Sequence, residues 1–305
     1  MSATTVDSVL QNLPKDKPVY YRANPGNAGD ALIASGAYKK FRQAGLKIQL
    51  ILDPNNFDAK GKTVIYAGGG NLVGIYPEAR DFFYQHHKTA ENIILLPHTI
   101  AKNEDLLAAL GANTILFARE QVSYDHIRKH AINANTFIDH DLALCLDPRE
   151  ILAHTPIGFF PALIKKCVFK ALGSSASLEV PQIKKMFSNT IFELRNTAEK
   201  LGHEGYFFRE DVEASGRPTP PNNADLSQIY EYGTKNQSLT DYTTWRLLRY
   251  IDKFHIVNTD RLHICIAALL LDKKVNFYPN SYFKCKAVYE FSLKSQFKNL
   301  NWVGQ

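Results

Sequence analysis

The feature that most constrains the fold is an alternation of short apolar runs with amphipathic stretches through the first half of the 305-residue chain. This alternation is typical of a parallel sheet whose strands are joined by crossover helices. Helix-like stretches at residues 30–44 and 103–110 separate some of the runs. The runs predicted to be strands are residues 19–22, 48–52, 64–67, 93–96, 114–118 and 136–138. We therefore predict a doubly wound α/β domain over residues 1–150.

The second half repeats this plan after a basic, helical lead-in at residues 150–205. A polar, proline-rich loop at residues 215–225 is predicted to be mobile or ligand-gated. Strands are predicted at residues 206–209, 255–258 and 275–278, and helices at 242–252 and after Thr259. This order predicts a second Rossmann-like α/β domain over residues 151–305, facing the first across a cleft. Such interdomain clefts are favoured ligand sites.

Charge and cysteine content narrow the class of protein. The net charge is +6, but the basic residues are dispersed rather than gathered into runs, so no nucleic-acid partner is predicted. The four cysteines, Cys145, Cys167, Cys265 and Cys285, form no CxxC pair, so they are interpreted as reduced thiols and no metal or cofactor is predicted. The need for a divalent ion stays open.

The chain is expected to be cytoplasmic, because its first residues lack a basic start followed by an apolar secretory core. The longest apolar run, at residues 264–271, is far shorter than the roughly 20 residues of a bilayer span. Any membrane contact should therefore be peripheral, at the inner face. The amphipathic stretch 159–172 is either a packed core helix or a helix lying on the membrane surface.

Two segments of the first half leave a strand with glycine and asparagine. In the first, NPGNAGD, a helix N-terminus favours anions, Asn27 can contact substrate, and Asp30 either faces the cleft or merely caps the helix. The pattern is neither GxGxxG nor a P-loop, so nucleotide binding is not predicted. In the second, Gly69 and Gly70 clear space for a substrate and Asn71 can bond to a sugar hydroxyl, unless the glycines serve the fold alone.

Charged side chains follow several later strands. Arg119 is placed to bind a carboxylate or phosphate, the alternative being an ion pair with Glu120, whereas His98 is interpreted as structural. Arg209, at the end of the strand predicted at 206–209, is a candidate substrate-binding residue. Arg261 and His263 come just before a strongly apolar helix, so they should lie at its start, where arginine can hold an anion and histidine can exchange a proton. The alternative for His263 is a structural histidine, against which the nearby arginine counts.

The loop after the strand at 275–278 combines hydroxyl and ammonium groups, Ser281, Lys284 and Lys286. Such groups suit phosphate binding, although a solvated loop would have the same composition.

Taken in order, GNAGDALI, AGGGNL, the R-x3-S of Arg119 and Ser123, FFREDVE, TDRLH and PNSYFKCKAVYE resemble the polysaccharide pyruvyl transferase family. The resemblance runs from about Asn24 to Glu290 and omits residues 150–205. It implies two domains in a GT-B-like arrangement, phosphoenolpyruvate as the donor co-substrate, and a hexose of an exopolysaccharide or lipid-linked repeat unit as the acceptor. Arg261 and His263 resemble the family's essential arginine–leucine–histidine element, and Arg119 its other donor-side arginine.

The expected reaction moves a pyruvyl group onto the sugar as a ketal. It needs cations for the carboxylate and phosphate, for which Arg119, Arg261 and Lys284 or Lys286 are candidates. It also needs an acid and a base, for which His263 is the first choice and Asp30 the second. A nucleotide-sugar glycosyltransferase of similar build and a non-catalytic carbohydrate-binding protein are the alternatives.

Overall fold

The computed structural model describes residues 4–154 and 180–304, which group into two compact units. The first unit consists of the described residues of Met1–Pro25, Ile33–Leu146 and Lys286–Gln296, and the second of those of Gly26–Leu32, Asp147–Cys285 and Phe297–Gln305. The chain passes from the first unit to the second after Leu146, close to the predicted boundary at residue 150, but it then returns to the first unit before ending in the second.

The first unit carries a sheet in which all strand pairs are parallel. Its elements in chain order are α1 Val6–Asn12, β1 Pro18–Arg22, α2 Ala28–Gln43, β2 Lys47–Leu50, β3 Thr63–Tyr66, β4 Gly69–Leu72, α3 Glu78–His86, β5 Asn92–Ile100, α4 Glu104–Ala109, β6 Thr114–Ala118, α5 Gln121–His130, β7 Asn135–Ile138 and a 3₁₀ turn Leu142–Cys145. The strand order is β2-β1-β3-β5-β6-β7, with β4 paired to β5. All six predicted strands are present, and β4 is an additional one.

Both faces of this sheet are buried, as the continuous apolar runs require. Along β3, Val64 and Tyr66 pack into one hydrophobic core while Ile65 packs into the other. Along β5, Leu95 and Ile94 divide between the same two cores. Because alternate side chains of a strand point to opposite faces, helices must cover the sheet on both sides. The doubly wound α/β prediction is confirmed for this unit.

The point at which the strand order reverses lies between β1 and β3, because the chain continues from β1 outward to β2 and from β3 in the other direction to β5. In open α/β sheets, ligands bind outside the carboxyl ends of the strands at such a point. The residues just after β1 and β3 are Asn24 and Gly68, and the Asn24 amide donates to the carbonyl oxygen of Gly68 at 2.8 Å. Both glycine–asparagine segments of the sequence therefore begin here.

The second unit has a smaller parallel sheet of order β11-β10-β9-β8. Its elements are α6 Pro148–Ala153, α7 Val180–Arg195, β8 Glu204–Tyr206, α8 Leu226–Ile229, α9 Gln237–Ile251, β9 Ile256–Thr259, α10 Leu262–Leu270, β10 Lys274–Phe277, the start of α11 Lys284–Val288, and β11 Leu300–Trp302. The rest of α11 and a π-helical turn Tyr289–Leu293 group with the first unit, whereas the first residues of α2 group with the second. The α/β class is thus shown in both units, while the GT-B-like arrangement of domains across a cleft stays a prediction.

The first strand of the second sheet was predicted wrongly, at residues 206–209. It ends at Tyr206, because the backbone N–H groups of Phe208 and Arg209 donate to the side chains of Asn223 and Asp260 instead of continuing the strand. Residues 207–209 therefore lie at the carboxyl edge of the sheet.

The stretch 159–172, for which a core helix and a membrane-surface helix were weighed, lies outside the described residues. In the part of the chain that the structure describes, no helix combines the length and the apolar character needed to cross a bilayer.

Candidate functional site

A group of charged side chains, called here the ion-pair cluster, lies at the carboxyl edge of the second sheet, where β8, β9 and β10 end. The first two of its cations are Arg209 and Arg261, and the third is Lys284 of α11. Its carboxylates come from the loops between the strands: Asp211, Glu213, Asp225 and Asp260.

Arg209 is held from two sides by the residues that follow it. Its Nε donates to Asp211 Oδ1 at 2.8 Å, and one terminal nitrogen donates to Glu213 Oε2 at 2.6 Å. Its backbone N–H donates to Asp260 Oδ1 at 2.8 Å. The predicted substrate residue Arg209 is therefore buried and braces the loop, and its contact with substrate stays a prediction.

Arg261 differs from Arg209 in having an unused donor. One terminal nitrogen contacts Asp225 Oδ2 and lies 2.8 Å from Asp211 Oδ2. Nε of Arg261 and Oδ1 of Asp225 are both buried and lack a hydrogen-bond partner among the described residues. Buried polar groups are nearly always hydrogen-bonded, so an unpaired guanidinium nitrogen on a residue that is 5% exposed indicates a place for a further acceptor.

The three predicted residues of the 281–286 loop have different surroundings. Lys284 is buried, contacts Glu213 Oε2, and lies 5.1 Å from the ring centre of Tyr282. Ser281 is exposed, and its backbone N–H donates to the carbonyl oxygen of Glu213 at 3.0 Å. Lys286 is exposed and groups with the first unit. Only Lys284 of the three joins the ion-pair cluster.

The carboxylates of the cluster respond to these cations. Burial opposes ionisation of Asp211, but the hydrogen bond from Arg209 and the charge of Arg261 outweigh it and lower the pKa to about 2. Burial likewise works against Glu213, and Lys284 with Arg209 still lowers its pKa. For Asp260, the effect of burial is larger than that of the nearby arginines, so its pKa is raised. Three cations thus face four carboxylates, so an anionic ligand must compete with acids already in place.

His263 lies in the first turn of α10, whose remaining residues as far as Leu269 are fully buried. Its side chain is half-buried, so it keeps access to solvent where Ile264 and Cys265 have none. Arg261 is the N-cap of this helix and makes no side-chain capping hydrogen bond. The first backbone N–H groups of α10 therefore receive no cap from that side chain, and helix N-termini with such donors favour anions.

Asn27 and Asp30 close the N-terminus of α2. Asn27 Oδ1 accepts from Gly29 N at 2.8 Å, and Asp30 Oδ2 accepts from Asn27 N at 2.9 Å, the reciprocal pattern of a capping box. Gly29 groups with the second unit, and a Cβ at this position would lie 2.7 Å from His263 Nδ1. The capping role weighed for this turn is present, and the catalytic role of Asp30 and the substrate role of Asn27 stay predictions.

In the first unit, Asn71 is tied to the reversal point of the sheet. Its amide donates to Tyr66 Oη at 3.0 Å and to Asn24 Oδ1 at 3.3 Å, while its own Oδ1 is buried without a partner among the described residues. Gly69 adopts φ +141°, a left-handed conformation that favours glycine, and begins β4 with the half-buried Gly70. Whether these three contact substrate stays a prediction.

His98 is structural in the arrangement observed. Its Nε2 accepts from the backbone N–H of Asn71 at 3.0 Å, so Nδ1 carries the proton and donates to the carbonyl oxygen of Ala67 at 3.1 Å. The ring is fully buried and joins the ends of β3 and β4. This agrees with the interpretation from the sequence.

Arg119 is buried, at 1% exposure, and its ion-pair partner is Asp141 at 2.7 Å rather than Glu120. Its Nε donates to Thr99 Oγ1 at 2.8 Å. Glu120 instead caps α5 by accepting from the backbone and hydroxyl of Ser123, and burial raises its pKa. The guanidinium thus holds the loop after β7, and its predicted contact with donor stays a prediction.

Glu213 and Asp225 belong to the site but were not predicted from the sequence. Glu213 lies in the FFREDVE segment two residues after Asp211, and this D-x-E spacing following an arginine is the signal that could have indicated it. Asp225 ends the proline-rich loop, and because this loop has no hydrophobic periodicity, the sequence does not indicate which of its residues lies in the site.

Comparison with known proteins gives the same assignment as these motifs. Residues 27–282 match the family model described as polysaccharide pyruvyl transferase. The chain is 25% identical over 314 aligned positions to the putative pyruvyl transferase EpsO of Bacillus subtilis (strain 168), an alignment that covers 92% of this chain and 86% of that protein. Its structure is similar to that of a functionally uncharacterized protein from Klebsiella pneumoniae subsp. pneumoniae NTUH-K2044, with a TM-score of 0.72, 28% identity, and coverage of 98% and 97% of the two chains. Because the family model spans most of its length, from Asn27 to Tyr282, this chain belongs to the polysaccharide pyruvyl transferase family.

Proposed function

We propose that this protein transfers the pyruvyl group of phosphoenolpyruvate onto two hydroxyls of a hexose in an exopolysaccharide or its lipid-linked precursor, forming a ketal and releasing phosphate. The observation that carries the proposal is the buried Nε of Arg261, which has no hydrogen-bond partner among the described residues and belongs to the N-cap residue of α10. Guanidinium nitrogens and the N-termini of helices are both suited to bind a carboxylate or a phosphate.

Donor binding requires a rearrangement within the ion-pair cluster. Arg261 contacts Asp225 and Asp211, and a donor with several negative charges would be repelled by both carboxylates. Asp225 ends the proline-rich loop, so movement of that loop would take one carboxylate away and let a donor oxygen replace it on Arg261. The proposed role of the ligand-gated loop is therefore to remove this carboxylate from Arg261 when the donor binds.

The chemistry then needs proton transfer. One proton is added to the methylene carbon of phosphoenolpyruvate, one sugar hydroxyl attacks the adjacent carbon, phosphate leaves, and the second hydroxyl completes the ketal. The two protons of the hydroxyls balance the one gained by carbon and the one carried away by phosphate. His263, solvent-accessible and two residues from Arg261, is the proposed acid. Asp30 is the proposed base.

The acceptor side of the proposal rests on Asn71. Its buried Oδ1, which has no partner in the described part of the chain, can accept from a sugar hydroxyl, next to Gly69 and Gly70, which carry no side chains. Binding in a cleft of a GT-B-like pair of domains, a cytoplasmic location, and peripheral membrane contact belong to the same proposal.

The test is incubation of the purified protein with phosphoenolpyruvate and a panel of acceptor glycans, with product mass and phosphate release as readouts. We expect phosphate release that depends on acceptor, and a product whose mass matches a pyruvate ketal. A matched incubation with nucleotide-sugars tests the glycosyltransferase alternative. Thermal stabilisation by a nucleotide-sugar and not by phosphoenolpyruvate would contradict the proposal, since a ligand at 100 times its Kd stabilises by about 2.7 kcal/mol.

A further inference from the structure

We propose that Glu104, His126 and His130 form a surface site for a divalent transition-metal ion of the zinc type, separate from the ion-pair cluster and independent of the proposed function. Within residues 4–154 and 180–304, these three side chains form a group whose ligand atoms all lie within 4.8 Å of one another. All three belong to the first unit.

The two histidines are neighbours because they are four residues apart on α5, and positions i and i+4 lie on one face of a helix. Their ring centres are 4.8 Å apart. Glu104 opens α4, and its Oε1 lies 3.9 Å from Nε2 of the His126 ring, so this carboxylate is next to the imidazole. Zinc–nitrogen bonds of about 2.0–2.1 Å place tetrahedral ligands roughly 3.4 Å apart, so ligand atoms within 4.8 Å of one another need a modest rotation of accessible side chains to reach ligand spacing.

The surroundings of His126 prepare it as a ligand. Its Nε2 lies 2.9 Å from the carbonyl oxygen of Lys102, which can only accept, so Nε2 carries the proton and Nδ1 keeps a lone pair. Metal-bound histidines usually donate their second N–H to a carbonyl or carboxylate in this way. Lys102 has φ +57°, an uncommon conformation for a residue with a side chain.

The helix dipole and one carboxylate favour a cation here and act against the charges of Arg128 and Lys129 in the same turn. His126 and His130 lie in the last turns of α5, where the carbonyl end of the helix dipole attracts positive charge, and Glu104 adds a carboxylate. Two imidazoles and one carboxylate are a donor set preferred by Zn²⁺ and its neighbours over Mg²⁺, with a fourth position left for water. A bound ion would join the start of α4 to the end of α5.

The experiment uses untagged, metal-stripped protein titrated with Zn²⁺ in a calorimeter, with Mg²⁺ titrated in parallel and Co²⁺ absorption as a report on coordination. We expect one Zn²⁺ per chain, no measurable Mg²⁺ binding, and a rise in Tm with Zn²⁺. His126→Ala and His130→Ala should each weaken binding at least about tenfold, and Glu104→Gln should weaken it as well.

The matched control is His255→Ala, because His203 and His255 also have ring centres 4.8 Å apart but, within the described residues, form no such group with a carboxylate. Its Zn²⁺ affinity should equal that of the unaltered protein. Equal Tm values of all variants in chelator would show that the substitutions leave the fold intact. Zn²⁺ binding that is absent, or that survives both His126→Ala and His130→Ala, would overturn the site.

Discussion

Arg261→Lys separates the charge of this side chain from its geometry. Lysine retains one positive charge that can reach Asp211 and Asp225, but it lacks the Nε that has no partner among the described residues. If Nε binds the donor, the substitution removes one hydrogen bond to a charged group, which contributes about 1.5–3 kcal/mol. That free energy corresponds to a loss of roughly 10- to 150-fold in kcat/KM for phosphoenolpyruvate.

The assay is initial-rate phosphate release at several phosphoenolpyruvate concentrations, with Tm measured on the same samples. Arg246→Lys is the matched control, because Arg246 donates through Nε and a terminal nitrogen to Glu193 and through the other terminal nitrogen to Tyr242. It should lower Tm without lowering kcat/KM. A kcat/KM for Arg261→Lys equal to that of the unaltered enzyme would refute the assignment of Nε to the donor.

Three further outcomes are expected. His263→Ala should fold normally, still bind phosphoenolpyruvate in a thermal-shift assay, and lose at least about 100-fold in kcat, whereas near-normal turnover would make this histidine structural. Gly36→Ala should lower the free energy of unfolding by about 1–3 kcal/mol in urea titrations, because a Cβ there collides with the carbonyl oxygen of Leu142, and an unchanged midpoint would contradict that packing. Asp211 has a pKa lowered from 3.8 to about 2, so its ionised form stabilises the fold above pH 3.8 and loses that contribution as the pH falls through about 2. The destabilisation caused by Asp211→Asn should accordingly be full at pH 6 and shrink between pH 4 and pH 2, and a constant difference across that range would argue against the ion pairs.

The sequence was most informative where burial leaves a simple pattern. β3 and β5 are buried on both faces, and such strands appear as continuous apolar runs that periodicity detects. β4 was missed because Gly69–Leu72 contains glycine and asparagine, which are poor strand formers, and it pairs with β5 only through an irregular register. β11 was missed for a related reason, since Leu300–Trp302 is a short edge strand with asparagine at its centre.

The site residues that stand next to a predictable helix or strand could be predicted from the sequence, and those on irregular loops could not. Arg261 and His263 were correctly predicted to lie at the start of a buried helix, because the apolar run that forms the helix comes directly after them. Their carboxylate partners were not predictable, because Asp225 reaches Arg261 from a loop 36 residues earlier in the chain whose path no local pattern encodes. The His126–His130 spacing was visible in the sequence, but Glu104 joins it only through the packing of α4 on α5.

The return of the chain into the first unit after Cys285 affects how this protein can be synthesised and divided. β11, paired to β10, is contributed by residues that follow the excursion through Lys286–Gln296. During translation, the second sheet therefore cannot be completed until this late segment has left the ribosome. Until then β10, paired only to β9, is expected to be an exposed, aggregation-prone edge strand. For the same reason, a single cut after Leu146 would leave each fragment without a segment of its unit, because that segment lies on the other fragment. Co-expression of two halves should succeed only when the chain is divided at a surface loop inside one unit.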